Sequence, residues 1–176
     1  QVWEFAVRVR GERGTWVGRI DALSGDVVSF FDDNRYGQVK GGVYPVSDDQ
    51  HGWDGTEQAG WPMPYADVTI GGTPGTANDM GIFDCSPGGS TAVTTLAGPY
   101  VLVSDTCGTA NESVTCDADL DLAQGPGTDC DVPPGHSTGD NHAARSGFYH
   151  LNRVMEKGRA WLPTNTWLQS QLRDNV

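Results

Sequence analysis

Hydrophobic and polar residues alternate from the first strand-length segment onward. Trp3, Phe5, Val7 and Val9 form one apolar set, while Glu4, Arg8 and Arg10 share the opposite set with the small Ala6. A period of two marks a strand with one buried face. Gly11–Gly14 then predicts a turn, Thr15–Ile20 a second strand, Asp21–Asp26 another turn and Val27–Phe31 a third strand. Residues 1–36 are thus expected to form a β-hairpin unit, and residues 37–60, which mix glycine with acidic groups, a connector. From Trp61 the apolar runs are short and recur about every ten residues: Ala66–Ile70, Gly81–Asp84, Thr91–Leu96 and Tyr100–Ser104. Strands at that spacing predict an antiparallel β-sandwich over residues 61–139 rather than a parallel sheet. Its last part, 105–139, has no clear period and reads as a long acidic loop, a length that a compact domain holds by cross-links or keeps for function.

The period changes at Asp140. Ala144, Phe148, Leu151 and Met155 fall on one helical stripe, with Ser137 or Asp140 as the cap and Pro163 as the stop. Thr164 or Asn165 can cap a second helix that places Leu168 and Leu172 on one face, so residues 140–176 predict a C-terminal α-helical hairpin. Phe148 is the expected buried anchor. Arg145, Asn152, Arg153 and Lys157 are expected off the apolar stripe, and His150 on a neighbouring face. The expected fold class is mainly β: an antiparallel sandwich between a hairpin unit and a helical hairpin.

Charge sharpens this picture. The net charge is −12, and no Lys or Arg occurs between Gly41 and Ala144, where 15 of the 23 acidic residues lie. A duplex-binding surface needs the opposite field, so no nucleic-acid partner is expected. Trp61, Tyr65, Ile70, Ile82, Phe83 and Tyr100 lie in the same stretch and argue that it folds. No apolar run approaches the roughly 18 residues of a membrane span. Glycine (24) and proline (10) are abundant enough to predict many turns, without reaching the share typical of disorder.

The cysteines are Cys85, Cys107, Cys116 and Cys130, with no Cys-x-x-Cys pair and no His at zinc-finger spacing. In an acidic, Gly/Thr/Ser-rich chain they read as two disulfides and a secreted, extracellular location. Three pairings are open. The short Gly/Thr/Asn loop favours Cys107–Cys116, which leaves Cys85–Cys130.

Three segments carry a resemblance. Trp16-Val17-Gly18-Arg19-Ile20-Asp21-Ala22-Leu23-Ser24-Gly25-Asp26-Val27-Val28 resembles the last propeptide hairpin of secreted thermolysin- and fungalysin-type zinc metallopeptidases, where a strand enters an Asp-Ala-x-Ser/Thr-Gly turn. Pro64–Ile70 followed by Thr76–Phe83 is similar to the carboxypeptidase regulatory-like (transthyretin-like) β-sandwich, a spacer or binding module. Asp140–Val154 resembles the long helix in the N-terminal lobe of the same peptidases, with its Asn/Asp-x-His/Gln-x-x-x-x-x-Phe-Tyr-x-x-Asn pattern. The order, propeptide hairpin before peptidase helix, is that of the family. The resemblance implies the remainder of a parent peptidase as the partner of this chain.

Catalysis in that family uses His-Glu-x-x-His, two zinc ligands on one helix face with a Glu that activates water. The histidines here are His51, His136, His142 and His150, and Glu follows none of them. His142 and His150 would stand about 12 Å apart along a helix, too far for one ion. The resemblance therefore implies a non-catalytic N-terminal segment, with zinc held only by the C-terminal part of the parent. The competing expectation is an extracellular β-sandwich that binds calcium, a glycan or a surface.

Asp117, Asp119 and Asp121 alternate as the acidic residues of calcium loops do, with Asp129, Asp131 and Asp140 available to complete an irregular site. An EF-hand is excluded, because Leu122 and Thr128 stand where it needs Gly and Glu. A solvated acidic strand edge is the competing expectation. Ser137, His136 and Asp140 supply the residue types of a nucleophilic triad, without the Gly-x-Ser-x-Gly turn that would present the serine. Trp53 and Trp61 are read either as a sugar-stacking pair or as packing at the sandwich rim.

Overall fold

The alternation at the start of the chain becomes three antiparallel strands in order, β1 (Val2–Val7), β2 (Trp16–Asp21) and β3 (Val27–Asp32). In the computed structural model, residues 1–7, 16–33, 35–45, 55–85, 88–125, 130–170 and 174–175 are described; Arg8–Thr15, with the expected first turn, and Trp53 lie outside them. The β2–β3 turn follows from Asp21. Its Oδ1 accepts from the Leu23 and Ser24 backbone N–H groups at 2.8 and 3.0 Å, and Gly25 closes the turn at φ 77°. Those two donors hold the Asp21 carboxyl below its ordinary value. The phenyl ring of Phe5 lies over Gly18, where a Cβ would collide with it. The expected burial of one face is not realised among the described residues: the three strands form a single layer, and Trp3, Phe5 and Val7 are exposed.

The chain divides into two units at Arg35–Tyr36, and the second holds the hydrophobic core. Its centre is β4 (Tyr36–Val43), which pairs antiparallel with β5 (Gln58–Pro62) and β8 (Ile82–Asp84) and parallel with β12 (Leu120–Asp121). Residues 37–43 were expected in the 37–60 connector, because three glycines weaken a strand pattern. The glycines are what the packing requires. A Cβ on Gly37 would run into the Phe83 ring, and one on Gly41 would sit 2.9 Å from Leu122 and 3.0 Å from the Arg145 stem.

A second sheet runs β11 (Glu112–Thr115), β9 (Thr91–Thr94), β6 (Asp67–Ile70) and β7 (Thr73–Thr76), every pair antiparallel. Val39, Val43 and Leu120 from the first sheet share one buried cluster with Val68 and Ala92 from the second, a sandwich-like core. β11 and β12 lie inside the segment expected as loop, where their alternation is short and broken by Gly, Thr and Asp. The expected strand Tyr100–Ser104 shrinks to β10 (Val101–Leu102), which pairs parallel with β13 (Asp174–Asn175).

Helix α1 (His142–Trp161) starts at Asn141, one residue after the expected cap, and Asn141 Oδ1 accepts from the Ala144 N–H at 2.8 Å. It ends before Pro163, and the Asn165 side chain accepts from Leu168 N–H in α2 (Thr166–Ser170). Ala144 and Phe148 are buried as expected, and Leu151 and Met155 are half-buried. Arg145 and Asn152 are not on the solvent side. Both are 0 % exposed, because a stripe defined by apolar residues alone misses polar groups whose partners lie in the core.

The disulfides are Cys85–Cys116 and Cys107–Cys130, which replaces the expected Cys107–Cys116 and Cys85–Cys130. The sheet decides the pairing, and loop length does not. β11 carries Cys116 alongside β9, where its N–H donates to Ser90 O at 2.6 Å and its side chain meets Cys85 at the end of β8. Cys107 stays in the turn after Asp105. The bridges span 31 and 23 residues, and each should stabilise the fold by about 3–4 kcal/mol in the chain-entropy model.

Non-reducing peptide mapping should recover the Cys85–Cys116 and Cys107–Cys130 peptides with no alkylatable thiol; a Cys107–Cys116 peptide would refute this register. Phe148→Ala should lower the urea-unfolding free energy by about 3–5 kcal/mol. His150→Ala should cost at most about 1.5 kcal/mol, since it loses only an exposed hydrogen bond, His150 Nε2 to Tyr44 O at 2.7 Å, and an edge-on contact with the Tyr149 ring. Equal costs would mean that the helix is docked by another face.

Candidate functional site

Polar side chains gather where α1 begins. Arg145, one turn into the helix, is fully buried and spends its whole fork on fixed acceptors. Nε donates to Gly42 O at 3.1 Å, Nη1 to Asp140 O at 3.0 Å and Asp140 Oδ1 at 2.8 Å, and Nη2 to Glu57 Oε1 at 2.8 Å. Glu57 Oε2 in turn accepts from Gly125 N–H at 3.2 Å.

Two successive turns deliver the rest of the cluster. His136 N–H bonds Pro133 O, and Asp140 N–H bonds Ser137 O. Ser137 is pinned to β11: its N–H and Oγ both donate to Glu112 Oε1, at 2.8 and 2.6 Å. Gly139 permits this approach, since a Cβ there would collide with the backbone of Thr109 and Ala110. His136 Nδ1 consequently sits 3.2 Å from Glu112 Oε2 and 3.0 Å from Asp140 Oδ2. Burial pushes the Asp140 carboxyl up to about 6; Arg145 pulls against that and Glu112 adds to it. The anion is thus short of positive charge even beside a guanidinium.

Ser137, His136 and Asp140 are together, but not as a nucleophilic relay. The Ser137 hydroxyl donates to the Glu112 carboxylate rather than to the imidazole, so the Ser–His pairing of such a relay is not made. Asp117, Asp119 and Asp121 do not converge. Lys40 Nζ lies 2.7 Å from Asp119 and 3.9 Å from Asp121, Asp119 also accepts from Gln38 N–H, and Asp121 accepts from Ala123 N–H. The Asp119 hydrogen bond is the main reason that the Lys40 ammonium is held above its ordinary value. Asp129 and Thr128 lie outside the described residues. His142 and His150 both lie against Tyr44, one through its ring and one through its carbonyl, and share no ligand point.

Among the described residues, two groups place three possible ligand atoms within 4.8 Å of one another: Asp105 with Cys107 and Cys130, and Glu112 with His136 and Asp140. In the first the sulfurs are joined to each other and offer no thiolate. The second joins residues from β11, a turn and the helix start, with no local motif. Its one sequence signal was the polar spacing of His136, Ser137 and Asp140, which was read as a weak triad.

Replacing Arg145 with Met should destabilise the fold by about 3–5 kcal/mol, because Glu57 and Asp140 would be left buried without a counter-charge. Arg145→Lys should recover only part of this, since one ammonium cannot reach Gly42, Asp140 and Glu57 together. Urea titrations of the two variants decide it; a cost below about 1 kcal/mol for the Met variant would show that the network is dispensable. No protein-family model, no curated protein and no solved structure matches the chain, so the reading of its function rests on its own residues.

Proposed function

We propose that this chain is the non-catalytic N-terminal part of a secreted zinc metalloendopeptidase of the thermolysin/fungalysin type. The three-stranded unit is the end of the propeptide, the sandwich is the regulatory-like module, and α1 with α2 opens the catalytic lobe. One observation carries the reading. Most residues of the Asp140-to-Asn152 pattern lie on the docked side of the helix, together with Ala144 and Arg145: Asp140, Phe148 and Asn152 are 0 % exposed, and His142 is 9 % exposed. A pattern of that kind fixes a scaffold helix in place, which is the role that the resemblance assigns to it. The Asp21-Ala22-Leu23-Ser24-Gly25 turn and the two disulfides agree with a secreted precursor.

In this reading the helix with His-Glu-x-x-His belongs to the partner segment, and its zinc would polarise the scissile carbonyl and activate water there. The residues of this chain supply neither its two zinc histidines nor its Glu. They position the lobe through α1 and leave Trp161, Leu162 and Trp167 exposed, a density of large apolar groups that suits burial against the rest of the peptidase.

The test is mass spectrometry of the secreted protein isolated from its source, paired with assays of the chain alone. Peptides of this chain should occur in one gene product with a His-Glu-x-x-His peptide. The isolated chain should show no chelator-sensitive hydrolysis of casein. A full-length product without that motif would reject the reading in favour of an extracellular binding module.

A further inference from the structure

We propose that Glu112, His136 and Asp140 bind one Zn2+ ion, which clips β11 and the 133–140 turns to the start of α1. Zinc bonds of about 2.0–2.1 Å in a tetrahedron place ligand atoms about 3.3 Å apart. His136 Nδ1 lies 3.2 Å from Glu112 Oε2 and 3.0 Å from Asp140 Oδ2, and all three atoms fall within 4.8 Å of one another.

Hydrogen bonding points the same way. Asp140 is 0 % exposed, and among the described residues neither its Oδ2 nor His136 Nδ1 has a hydrogen-bond partner although they are 3.0 Å apart. Unless the imidazole is protonated and the two form an ion pair, both atoms are left facing one shared position. An orphan of this kind is costly unless something occupies that position. The other oxygen of each carboxylate is already held, Glu112 Oε1 by Ser137 and Asp140 Oδ1 by Arg145. These are the outer partners that orient metal ligands.

Charge and chemistry select the ion. Glu57 and Asp140 share the Arg145 guanidinium and Glu112 lies across His136 from Asp140, so these three carboxylates and one guanidinium leave two negative charges for a dication to neutralise. One imidazole nitrogen with two carboxylate oxygens suits zinc, whereas calcium and magnesium favour all-oxygen sites. The His136 and Glu112 side chains are 19 % and 14 % exposed, so the ion enters from solvent and a water can take its fourth position.

The experiment is calorimetric titration of chelator-dialysed chain, both disulfides intact, with ZnCl2 near neutral pH. One equivalent should bind and raise the thermal midpoint. Losing a ligand should exceed the 10–100-fold loss typical of an outer partner, so His136→Gln and Glu112→Gln should each weaken binding by at least ~100-fold. His150→Gln should bind as the parent does. Should either variant fail to fold, side-chain nitrogen spectra of the parent decide, with the His136 Nδ1 resonance expected to move on adding zinc. Absence of saturable binding, binding that both variants leave intact, an unmoved His136 resonance, or displacement by equimolar calcium would each overturn the proposal.

Discussion

A guanidinium with no solvent contact is the constraint around which the larger unit is arranged. Taking Arg145 out of water costs several kcal/mol, offset only if every arm of the fork finds an acceptor in good geometry. Those acceptors come from three places: the end of β4 through Gly42 O, the residue before β5 through Glu57, and the turn that opens α1 through Asp140. They must arrive together or the charge is stranded. The glycine pair in β4 belongs to the same solution, because a Cβ on Gly42 would run into the Glu57 carboxylate and one on Gly41 would crowd the arginine stem. Strand, ion pair and helix docking are therefore one cooperative event rather than three.

The 105–140 segment depends on that event and supports it in turn. Asn141 caps α1 with one amide atom and donates with the other to Asp105 Oδ2 at 2.9 Å, next to the turn that holds Cys107. Cys107–Cys130 then fixes the outer end of the segment, while Cys85–Cys116 ties β11 to the end of β8. Ala110, Cys116, Leu120 and Leu122 bury their side chains in the core, and the rest of the segment, poor in apolar groups, gains its order from capping, close backbone approach at Gly139 and covalent closure.

What the sequence made legible follows from the range of the interaction involved. Strands with a clean period, such as Val2–Val7 and Asp67–Ile70, and the Asn-capped helix with its Phe148 anchor are local patterns, and they lie within a few residues of the positions expected. β4 was missed because its glycines record the bulk of distant neighbours, Phe83 and Arg145, and not a preference of their own. The disulfide partners were missed for a related reason: register in the β11–β9–β6 sheet outweighs the loop-length argument. The polar cluster was hardest to see. Glu112, His136, Asp140 and Glu57 meet only after both sheets form, and Arg145 falls off the apolar stripe by which the sequence locates the buried face. The rule that buried charges are paired would have recovered it only once Glu57 and Asp140 were known to be neighbours.

The distribution of charge along the chain acquires a structural sense from these contacts. Lys40 and Arg145 are the last basic residue before the acidic stretch and the first after it, and both fold back onto that stretch. Lys40 sits between Asp119 and Asp121 on the exposed side, where screening leaves such a pair worth little, at most about 1 kcal/mol. Arg145 works from the buried side, where the same kind of pairing is indispensable. Between them the acidic groups repel one another with no interspersed cation to relieve them, and the covalent bridges hold the segment against that repulsion. The deepest of these groups, Asp140, receives only part of the positive charge that its burial demands. That deficit lies at the one point where an imidazole and a second carboxylate also converge, so the position with the greatest need for a cation is also the one best built to hold it.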